Sequence, residues 1–202
     1  MIKVAGLVLA AGASTRMGRP KQLLSLAGLN LLDRILGEAL KSELDLIVLV
    51  LGHHSREIKE SLKTESHHPK LQIIENKNYR DGISSSIITG LSEVEDSYEN
   101  VMIILGDIPL INSNLINLLI HQYQNSRLAL GAIKLKNRRT HPVIFGRMFY
   151  DEIHQLQGDV GARGLFEKYP AQVCLVEPED DYDDRDIDTP EDYLKFKKLL
   201  SL

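Results

Sequence analysis

The feature that most constrains the fold is an alternation of short apolar segments with helical patterns. Four segments are almost wholly apolar, namely residues 3–10 (KVAGLVLA), 44–52 (LDLIVLVLG), 70–76 (KLQIIEN) and 100–107 (NVMIILGD). Strands have this composition when helices cover both faces of a parallel sheet. Residues 31–40 form an amphipathic stripe, with Asn30 as the expected N-cap and Asp33 at the third helical position. The resulting order β-α-β-α-β-α-β predicts an open, mostly parallel α/β sheet with right-handed crossovers.

The second half of the chain predicts a different set of elements around the same sheet. Residues 127–135 and 140–147 are expected to form a strand pair joined by the polar tip 136–139. A further strand is expected over residues 171–179, and a last helix should begin after Thr189, with Pro190 at its first position. With no linker-like segment in between, residues 1–202 are predicted to form one three-layer α/β/α domain.

Charge and composition exclude several kinds of partner. The formal net charge is −4, and no basic stripe is present that could neutralise a nucleic-acid backbone. The apolar run at residues 1–12 is too short to span a bilayer, and although it resembles a signal peptide, the loop and helix patterns that follow favour a first core strand. Cys174 is the single cysteine, so it can form no internal disulfide and is expected in the core. These observations favour a cytoplasmic protein without membrane or nucleic-acid partners.

The loop after the first apolar segment, LAAGASTRMGRPK, has the chemistry of a phosphate site. It is not a Walker-type loop, because five residues separate Gly12 from Gly18 and an arginine follows. It also lacks the middle glycine of a dinucleotide fingerprint. Its small residues would let a base or sugar approach the main chain, and Arg16 and Lys21 could reach phosphate oxygens. The alternative is an ordinary strand-to-helix connection with solvated cations.

The same loop, extended as LAAGASTRMGRPKQLL, resembles the signature L-A-[AG]-G-x-S-x-R-M-G-x-x-K of the MobA-like nucleotidyltransferases. Four later segments are similar to other motifs of that family, in the same order: NKNYRDGISSSIITGL, LGDIPLI, HPVIFGR and DIDTPEDY. The resemblance covers essentially the whole chain. LAAG and GDVGAR look more like the molybdenum cofactor cytidylyltransferase branch than the guanylyltransferase branch, in which LAGG is usual. Thr140 and Ile108 depart from the commoner family residues, which leaves the acceptor open.

This resemblance implies a Rossmann-like nucleotide-diphospho-sugar transferase fold and a specific reaction. CMP would pass from CTP to the phosphate of molybdenum-bound molybdopterin, with release of pyrophosphate and with Mg²⁺ as cofactor. Arg16, Lys21 and Asp107 would be catalytic, Asp107 and Asp188 would bind the metal, and His141 and Pro142 would contact the acceptor. The implied nucleotide-binding residues are Leu9, Ala10, Ala11, Gly12, Ser14, Arg16, Lys21, Gly82, Ser86 and Asp107. A molybdenum hydroxylase is the implied recipient of the product.

Other interpretations of these residues stay open from sequence alone. The enzyme could use GTP, or another acceptor such as a sugar phosphate, or the protein could be a carrier of finished cofactor without catalysis. Asp107 could be a turn residue before Pro109, and Asp188 a helix-preceding carboxylate. Further groups also have two interpretations each. One of Ser84–Ser86 is expected to cap a helix, and His141 could be a structural histidine. His53–His54 could be a metal pair or neighbours on opposite faces of a strand, and Lys134–Arg139 could contact an anionic acceptor or form a solvated hairpin tip. The acidic residues 177–186 are expected to form a solvated loop, the alternative being that some of them line a metal-bearing rim.

Overall fold

The computed structural model describes residues 2–63 and 68–200. Nine strands are found in these residues: β1 Ala5–Ala10, β2 Ser25–Leu26, β3 Leu29–Asn30, β4 Leu46–Leu51, β5 Leu71–Glu75, β6 Asn100–Leu105, β7 Leu130–Leu135, β8 Arg138–Gly146 and β9 Val173–Val176. The same residues contain seven α-helices: α1 Leu31–Lys41, α2 Ser55–Ser61, α3 Ile83–Ser92, α4 Ser113–Ser126, α5 Tyr150–His154, α6 Arg163–Lys168 and α7 Pro190–Leu199. Each of the four apolar segments in the first half is therefore a strand, one or two residues shorter at its ends than its pattern predicts.

Seven strands form one sheet in the order β5-β4-β1-β6-β8-β7-β9, and β2 and β3 form a separate small hairpin. The pairs β5–β4, β4–β1, β1–β6 and β7–β9 are parallel. Strand β8 runs antiparallel to both of its neighbours, β6 and β7. The sheet is thus mostly parallel, as predicted, and the expected strand pair in the second half is its β7–β8 hairpin.

Helices cover both faces of the sheet, which gives three layers. Along β1, Val8 and Ala10 point into a core shared with α1, α2, α4 and α7, while Leu7 and Leu9 point into a core shared with α3, α5 and α6. This alternation is the expected consequence of the two-residue period of a strand. The predicted three-layer α/β/α architecture, with a Rossmann-like mostly parallel sheet, is confirmed.

The helix starts agree with the sequence only in part. At α7, Thr189 Oγ1 accepts a hydrogen bond from Asp192 N at 3.2 Å, and Asp192 Oδ2 accepts one from Thr189 N at 3.1 Å, so the predicted cap is present as a full capping box. At α1, Asn30 occupies the N-cap position but its side chain donates to Ser61 O at 3.3 Å. Its amide is therefore used to hold the end of α2, and the expected side-chain cap is absent.

Candidate active site

The candidate site lies where the chain order of the sheet changes direction. From β1 the chain crosses to β4 and then β5 on one side, whereas β6 pairs with the other side of β1. The carboxyl ends of β1 and β6 are adjacent, and Gly106 N donates a hydrogen bond to Leu9 O at 2.9 Å. Crevices at such switch points are where open α/β sheets bind ligands. The opening loop and Asp107 meet at this crevice.

A buried glutamine holds the opening loop in shape. Gln22 is 2% exposed, and its Nε2 donates to Ala10 O at 2.8 Å and to Gly12 O at 3.3 Å. Next to it, Lys21 N donates to Ser14 Oγ at 3.1 Å. Because both ends of the loop are tied to these two residues, the backbone on which Lys21 stands is anchored. The sequence did not identify Gln22, although it follows Lys21 in the loop motif.

Three carboxylates converge at the rim of the crevice. One oxygen from each of Asp107, Asp186 and Asp188 lies within 4.8 Å of the other two. The backbone links the two distant segments, since Ile187 N donates to Asp107 O at 3.0 Å and the Ile187 side chain is fully buried. Burial of Ile187 in the core leaves its two acidic neighbours facing Asp107. The acidic stretch is therefore not simply a solvated loop, because Asp186 belongs to this cluster.

Two cations contact the cluster from the opening loop. Lys21 Nζ lies 2.8 Å from Asp107 Oδ2 and 2.6 Å from Asp188 Oδ1. Arg16 lies 3.1 Å from Asp188 Oδ2, on the surface, with 71% of its side chain exposed. Burial alone would lower the pKa of Lys21, but the charges and hydrogen bonds of Asp107 and Asp188 outweigh it and raise that pKa. Burial and the two neighbouring carboxylates raise the pKa of Asp186. The cluster is thus strongly negative and held by a charged lysine.

The donor set of the cluster fits a hard divalent cation. Asp107 Oδ1 is buried, and no described residue donates a hydrogen bond to it. A buried carboxylate oxygen without a partner is costly unless a cation or water satisfies it. Carboxylate oxygens are the ligands that Mg²⁺ and Mn²⁺ favour, commonly one or two of them with phosphate oxygens and water. Asp107, Asp186 and Asp188 are therefore the residues that could hold such an ion.

Beside the cluster, the opening loop lines a cavity of about 380 Å³. Eight of the ten predicted nucleotide-binding residues line it: Leu9, Ala10, Ala11, Gly12, Lys21, Gly82, Ser86 and Asp107. Ser14 and Arg16 do not, because Ser14 is used to anchor Lys21 and Arg16 points to Asp188 at the surface. Tyr79, Arg80 and Asp159 also line the cavity and were not singled out from the sequence. The space is continuous with the carboxylate cluster through Asp107.

Gly82 at the start of α3 is required by a close backbone approach. Its φ is +92°, and a Cβ there would lie 2.4 Å from the carbonyl carbon of Gly158. No serine side chain caps this helix, contrary to one sequence interpretation. Instead Asp159 Oδ1 accepts from Ile83 N at 3.2 Å, and Asn76 Nδ2 donates to Ser86 Oγ at 3.0 Å. The segment before α3 is thereby held against the segment that contains Asp159.

A second cavity, of about 670 Å³, adjoins the first, and Ile83 and Asp159 line both. Its apolar wall includes Ile83, Ile87, Ile103, Val143, Phe145 and Phe166. Four cations line it as well, and three of them form ion pairs: Lys134 pairs with Glu177 at 2.8 Å, Arg138 pairs with Asp184 at 2.6 Å, and the third is Arg139. Arg139 lies over the Phe166 ring and 3.7 Å from Glu167. Arg163 has no ion pair with any described residue. The cavity therefore combines an apolar wall with available positive charge.

His141 lines this second cavity, whereas Pro142, which follows it through a cis peptide bond, is buried and does not. The Nδ1 atom of His141 lies 3.5 Å from Ile103 O, and Tyr182 donates a hydrogen bond to His141 O at 3.1 Å. Burial lowers the pKa of His141, so its imidazole is neutral at physiological pH. A neutral imidazole can orient an acceptor but adds no positive charge to the cavity.

Residues 6–173 match the family model described as MobA-like NTP transferase domain. The chain belongs to this family. It is therefore a nucleotidyltransferase, and the resemblance noted from its motifs is confirmed at the level of the family.

Individual MobA-like relatives differ in how much of their length the chain spans. Purine catabolism protein PucB of Bacillus subtilis (strain 168) is 30% identical over 205 residues, covering 97% of each chain. Bifunctional protein GlmU of Methylococcus capsulatus is 31% identical over 152 residues, which are 74% of this chain but only 31% of GlmU. The chain thus spans about a third of GlmU and nearly all of PucB.

Solved structures share the MobA-like fold along almost the full chain. The Rv0371c homologue of Mycobacterium sp. strain JC1 superposes with a TM-score of 0.84 at 28% identity, covering 98% of this chain and 96% of that one. Rv0371c of Mycobacterium tuberculosis H37Rv, solved in complex with manganese, gives a TM-score of 0.74 at 21% identity, covering 98% of each chain. The latter likeness shows the fold, and the bound manganese belongs to that protein.

Two other groups singled out from the sequence of this MobA-like chain have structural partners. His53 and His54 follow β4, and their rings meet edge to face at 4.0 Å, so they do not lie on opposite faces of a strand. The group of metal-ligating side chains found in the described residues includes neither. Cys174 is half-buried in β9 and packs against one of the two cores, so it lies at the edge of the core in which it was expected. Among the described helices, none is long and apolar enough to cross a bilayer.

Proposed function

We propose that this MobA-like enzyme is a molybdenum cofactor cytidylyltransferase, which transfers CMP from CTP to molybdenum-bound molybdopterin. An oxygen of the acceptor phosphate attacks the α-phosphorus of CTP, the bond from that phosphorus to the bridging oxygen breaks, and pyrophosphate leaves. The acceptor is already an anion, so no strong general base is needed. Catalysis of this kind consists of positioning and of offsetting negative charge.

The observation that carries the proposal is the pair of adjoining cavities with different chemistry. The smaller one has small loop residues and the Lys21 side chain, which suit a pyrimidine nucleotide and its phosphates. The larger one has an apolar wall, with Arg139 stacked on Phe166 and Arg163 unpaired. A heterocyclic ring system that can stack on an apolar wall and that carries a phosphate matches that combination, and a pterin phosphate is such a molecule. Ile83 and Asp159 stand between the two cavities, where the reacting groups would meet.

The proposed roles follow from position. Residues 9–12 and Gly82 with Ser86 would surround the nucleoside, and Lys21 would bind its phosphates. Arg16 lies outside the cavity, beside Asp188, and would reach those phosphates from the rim. Lys21 would offset the charge that develops on the departing pyrophosphate, where a contact stronger in the transition state accelerates the reaction. His141 would orient the acceptor, with Pro142 fixing the backbone beside it.

Asp107 and Asp188 would hold Mg²⁺, with Asp186 as a third candidate ligand. When bound, the ion offsets the negative charge of the triphosphate and helps to orient it for in-line attack. The unpartnered Asp107 Oδ1 supports this assignment.

The proposal extends to the surroundings of the enzyme. Residues 1–202 would act as one domain, since the seven-stranded sheet takes strands from Ala5 to Val176 and Phe196 of α7 packs into one of its cores. The enzyme would work in the cytoplasm, where its substrates occur, and a molybdenum hydroxylase would receive the product.

A screen for pyrophosphate release tests the proposal directly. CTP, GTP, ATP and UTP are each supplied with Mg²⁺, with and without molybdenum-loaded molybdopterin. We expect release with CTP only when the acceptor is present. Pyrophosphate release with GTP, or with a sugar phosphate in place of the pterin, would show that CTP or the pterin is not the substrate. Binding of finished cofactor without any pyrophosphate release would indicate a carrier.

A further inference from the structure

The Lys21 ammonium bridges two of the three carboxylates of the cluster. It contacts Asp107 Oδ2 at 2.8 Å and Asp188 Oδ1 at 2.6 Å, and only 14% of its side chain is exposed. The other oxygen of Asp188 is also engaged, because Arg16 contacts it at 3.1 Å. Both Asp188 oxygens are thus held by cations of the opening loop. A divalent ion that binds Asp188 therefore comes close to one of these cations, which like charge disfavours, and the more buried of the two cations is Lys21.

Lys21 can leave the cluster without a change in the backbone. Its own N–H is anchored by Ser14 Oγ, and the next residue, Gln22, is buried and hydrogen-bonded to the loop carbonyls. The flexible four-carbon stem is free to rotate about this fixed point. The adjoining cavity, which Lys21 also lines, is the space in which phosphate oxygens would offer it new partners.

We propose that Lys21 is a resident counter-ion of the Asp107–Asp186–Asp188 cluster and that a divalent cation replaces it there. The two cations are alternative occupants of the same carboxylate oxygens, and like charge prevents both from staying close together. The phosphates of a nucleotide take up the displaced ammonium. Nucleotide and divalent cation consequently bind with positive coupling, and by thermodynamic reciprocity each raises the affinity for the other. This inference rests on the proposed function only in naming the phosphates of a nucleotide as the alternative partner of Lys21.

The test is the affinity of the nucleotide-free protein for Mn²⁺, measured from the signal of free Mn²⁺ in electron paramagnetic resonance. Lys21→Met removes the ammonium and keeps an unbranched side chain that is one atom shorter. We expect this variant to bind Mn²⁺ at least about 10-fold more tightly than the unsubstituted protein, because no resident cation has to be displaced. Lys41→Met is the matched control, since Lys41 pairs with Glu38 on the exposed side of α1, and it should leave the affinity unchanged.

Two further arms complete the test. Lys21→Met combined with Asp107→Asn should lose the gained affinity, which assigns it to this cluster. Lys21→Met should also melt at a lower temperature without metal and regain more stability than the unsubstituted protein when Mn²⁺ is added. If Lys21→Met does not fold, Lys21→Gln takes its place in both measurements. Equal or weaker Mn²⁺ affinity in the lysine variant overturns the proposal. Because these readouts use no CTP and no acceptor, a failed pyrophosphate-release screen leaves them unaffected, and the reverse also holds.

Discussion

The backbone N–H of Ile187 donates a hydrogen bond to the carbonyl of Asp107 at 3.0 Å. This single bond joins the end of β6 to the segment before α7. With the Ile187 side chain fully buried, it determines where Asp188 stands relative to Asp107. The capping box of α7, built on Thr189, fixes the next residue along. Two carboxylates far apart in sequence are thereby held as one unit.

Residues that act as a unit have non-additive effects, which leads to the first prediction. Asp107→Asn and Asp188→Asn should each reduce Mg²⁺-dependent CTP turnover about 100-fold or more, because each removes a charge needed to offset the triphosphate. The double variant should be scarcely slower than either single variant. Turnover is measured for all three, with thermal unfolding as the check on folding. Near-normal activity of Asp188→Asn would show that Asp188 is not needed for metal binding and only interacts with the start of α7.

The second prediction concerns Arg163 in the larger cavity. Arg163→Ala should raise the KM for the phosphate-bearing acceptor by about 10-fold or more, because a hydrogen bond to a charged group contributes roughly 1.5–3 kcal/mol. The KM for CTP should not change, since Arg163 does not line the nucleotide cavity. Steady-state kinetics with each substrate varied in turn separates the two quantities.

Two arginine controls sharpen that measurement. Arg138→Ala should have a smaller effect on the acceptor KM, because Arg138 already pairs with Asp184 at 2.6 Å. Arg56→Ala, which removes a surface pair with Glu60 on α2, should have none. An acceptor KM that is the same in Arg163→Ala and Arg56→Ala would show that the unpaired arginine does not bind the acceptor.

The third prediction concerns the choice of base. Ala11 lines the nucleotide cavity and is packed tightly, since a Cβ on Gly52 would lie only 2.8 Å from the Ala11 methyl. CTP should be preferred over GTP. Ala11→Gly should lower the ratio of kcat/KM for CTP to kcat/KM for GTP by about 10-fold, because one methyl group in a pocket has an effect of that size. Ala27→Gly, at an exposed turn with φ +48°, is the control. Preference for GTP in the unsubstituted enzyme would contradict this reading of Ala11.

The fold and the loop chemistry could be predicted because their signals are local. Each of these signals is defined by residues that are close together in the sequence. They are the apolar strands, the α7 cap at Thr189, and the small residues that precede Lys21. The sequence left open that part of the acidic stretch lines a metal-bearing rim, but it did not single out Asp186. The position of that residue depends on burial of Ile187 and on proximity to Asp107, some eighty residues earlier in the chain. The sequence pattern that could have identified Asp186 is the alternation Asp-Ile-Asp at residues 186–188, in which an apolar residue separates two acidic ones. Lys21 was assigned to phosphates, and its pairing with Asp107 and Asp188 is a long-range contact that no local pattern encodes.

The missed residues Gln22 and Asp159 illustrate the same limit. Each lies inside a segment that the sequence singled out. However, each acts through a hydrogen bond to a backbone group that only the fold brings close to it. Gln22 donates to carbonyls of its own loop, and Asp159 accepts from the first N–H of α3. Only the folded geometry distinguishes such supporting residues from neighbours in the same motif.

The last prediction concerns His141 and the dependence of stability on pH. Burial lowers the pKa of His141 in the folded state, whereas in the unfolded chain it returns to about 6.5. The unfolded state therefore binds more protons below that value. The stabilising contribution is present above about pH 6.5 and is lost as pH falls from there through the lower pKa of the folded state.

His141→Asn removes this titration and keeps a side-chain donor near Ile103 O. The unsubstituted protein should lose more of its free energy of unfolding between pH 7.5 and about pH 5 than the variant does, by about 1.4 kcal/mol for each unit by which folding lowers the pKa. The other histidines are present in both proteins, so the difference between the two curves belongs to His141. Urea unfolding across this pH range measures it. Parallel curves would mean that the folded protein accepts a proton on His141 as readily as the unfolded chain, and that the second cavity carries one more positive charge under acidic conditions than the geometry indicates.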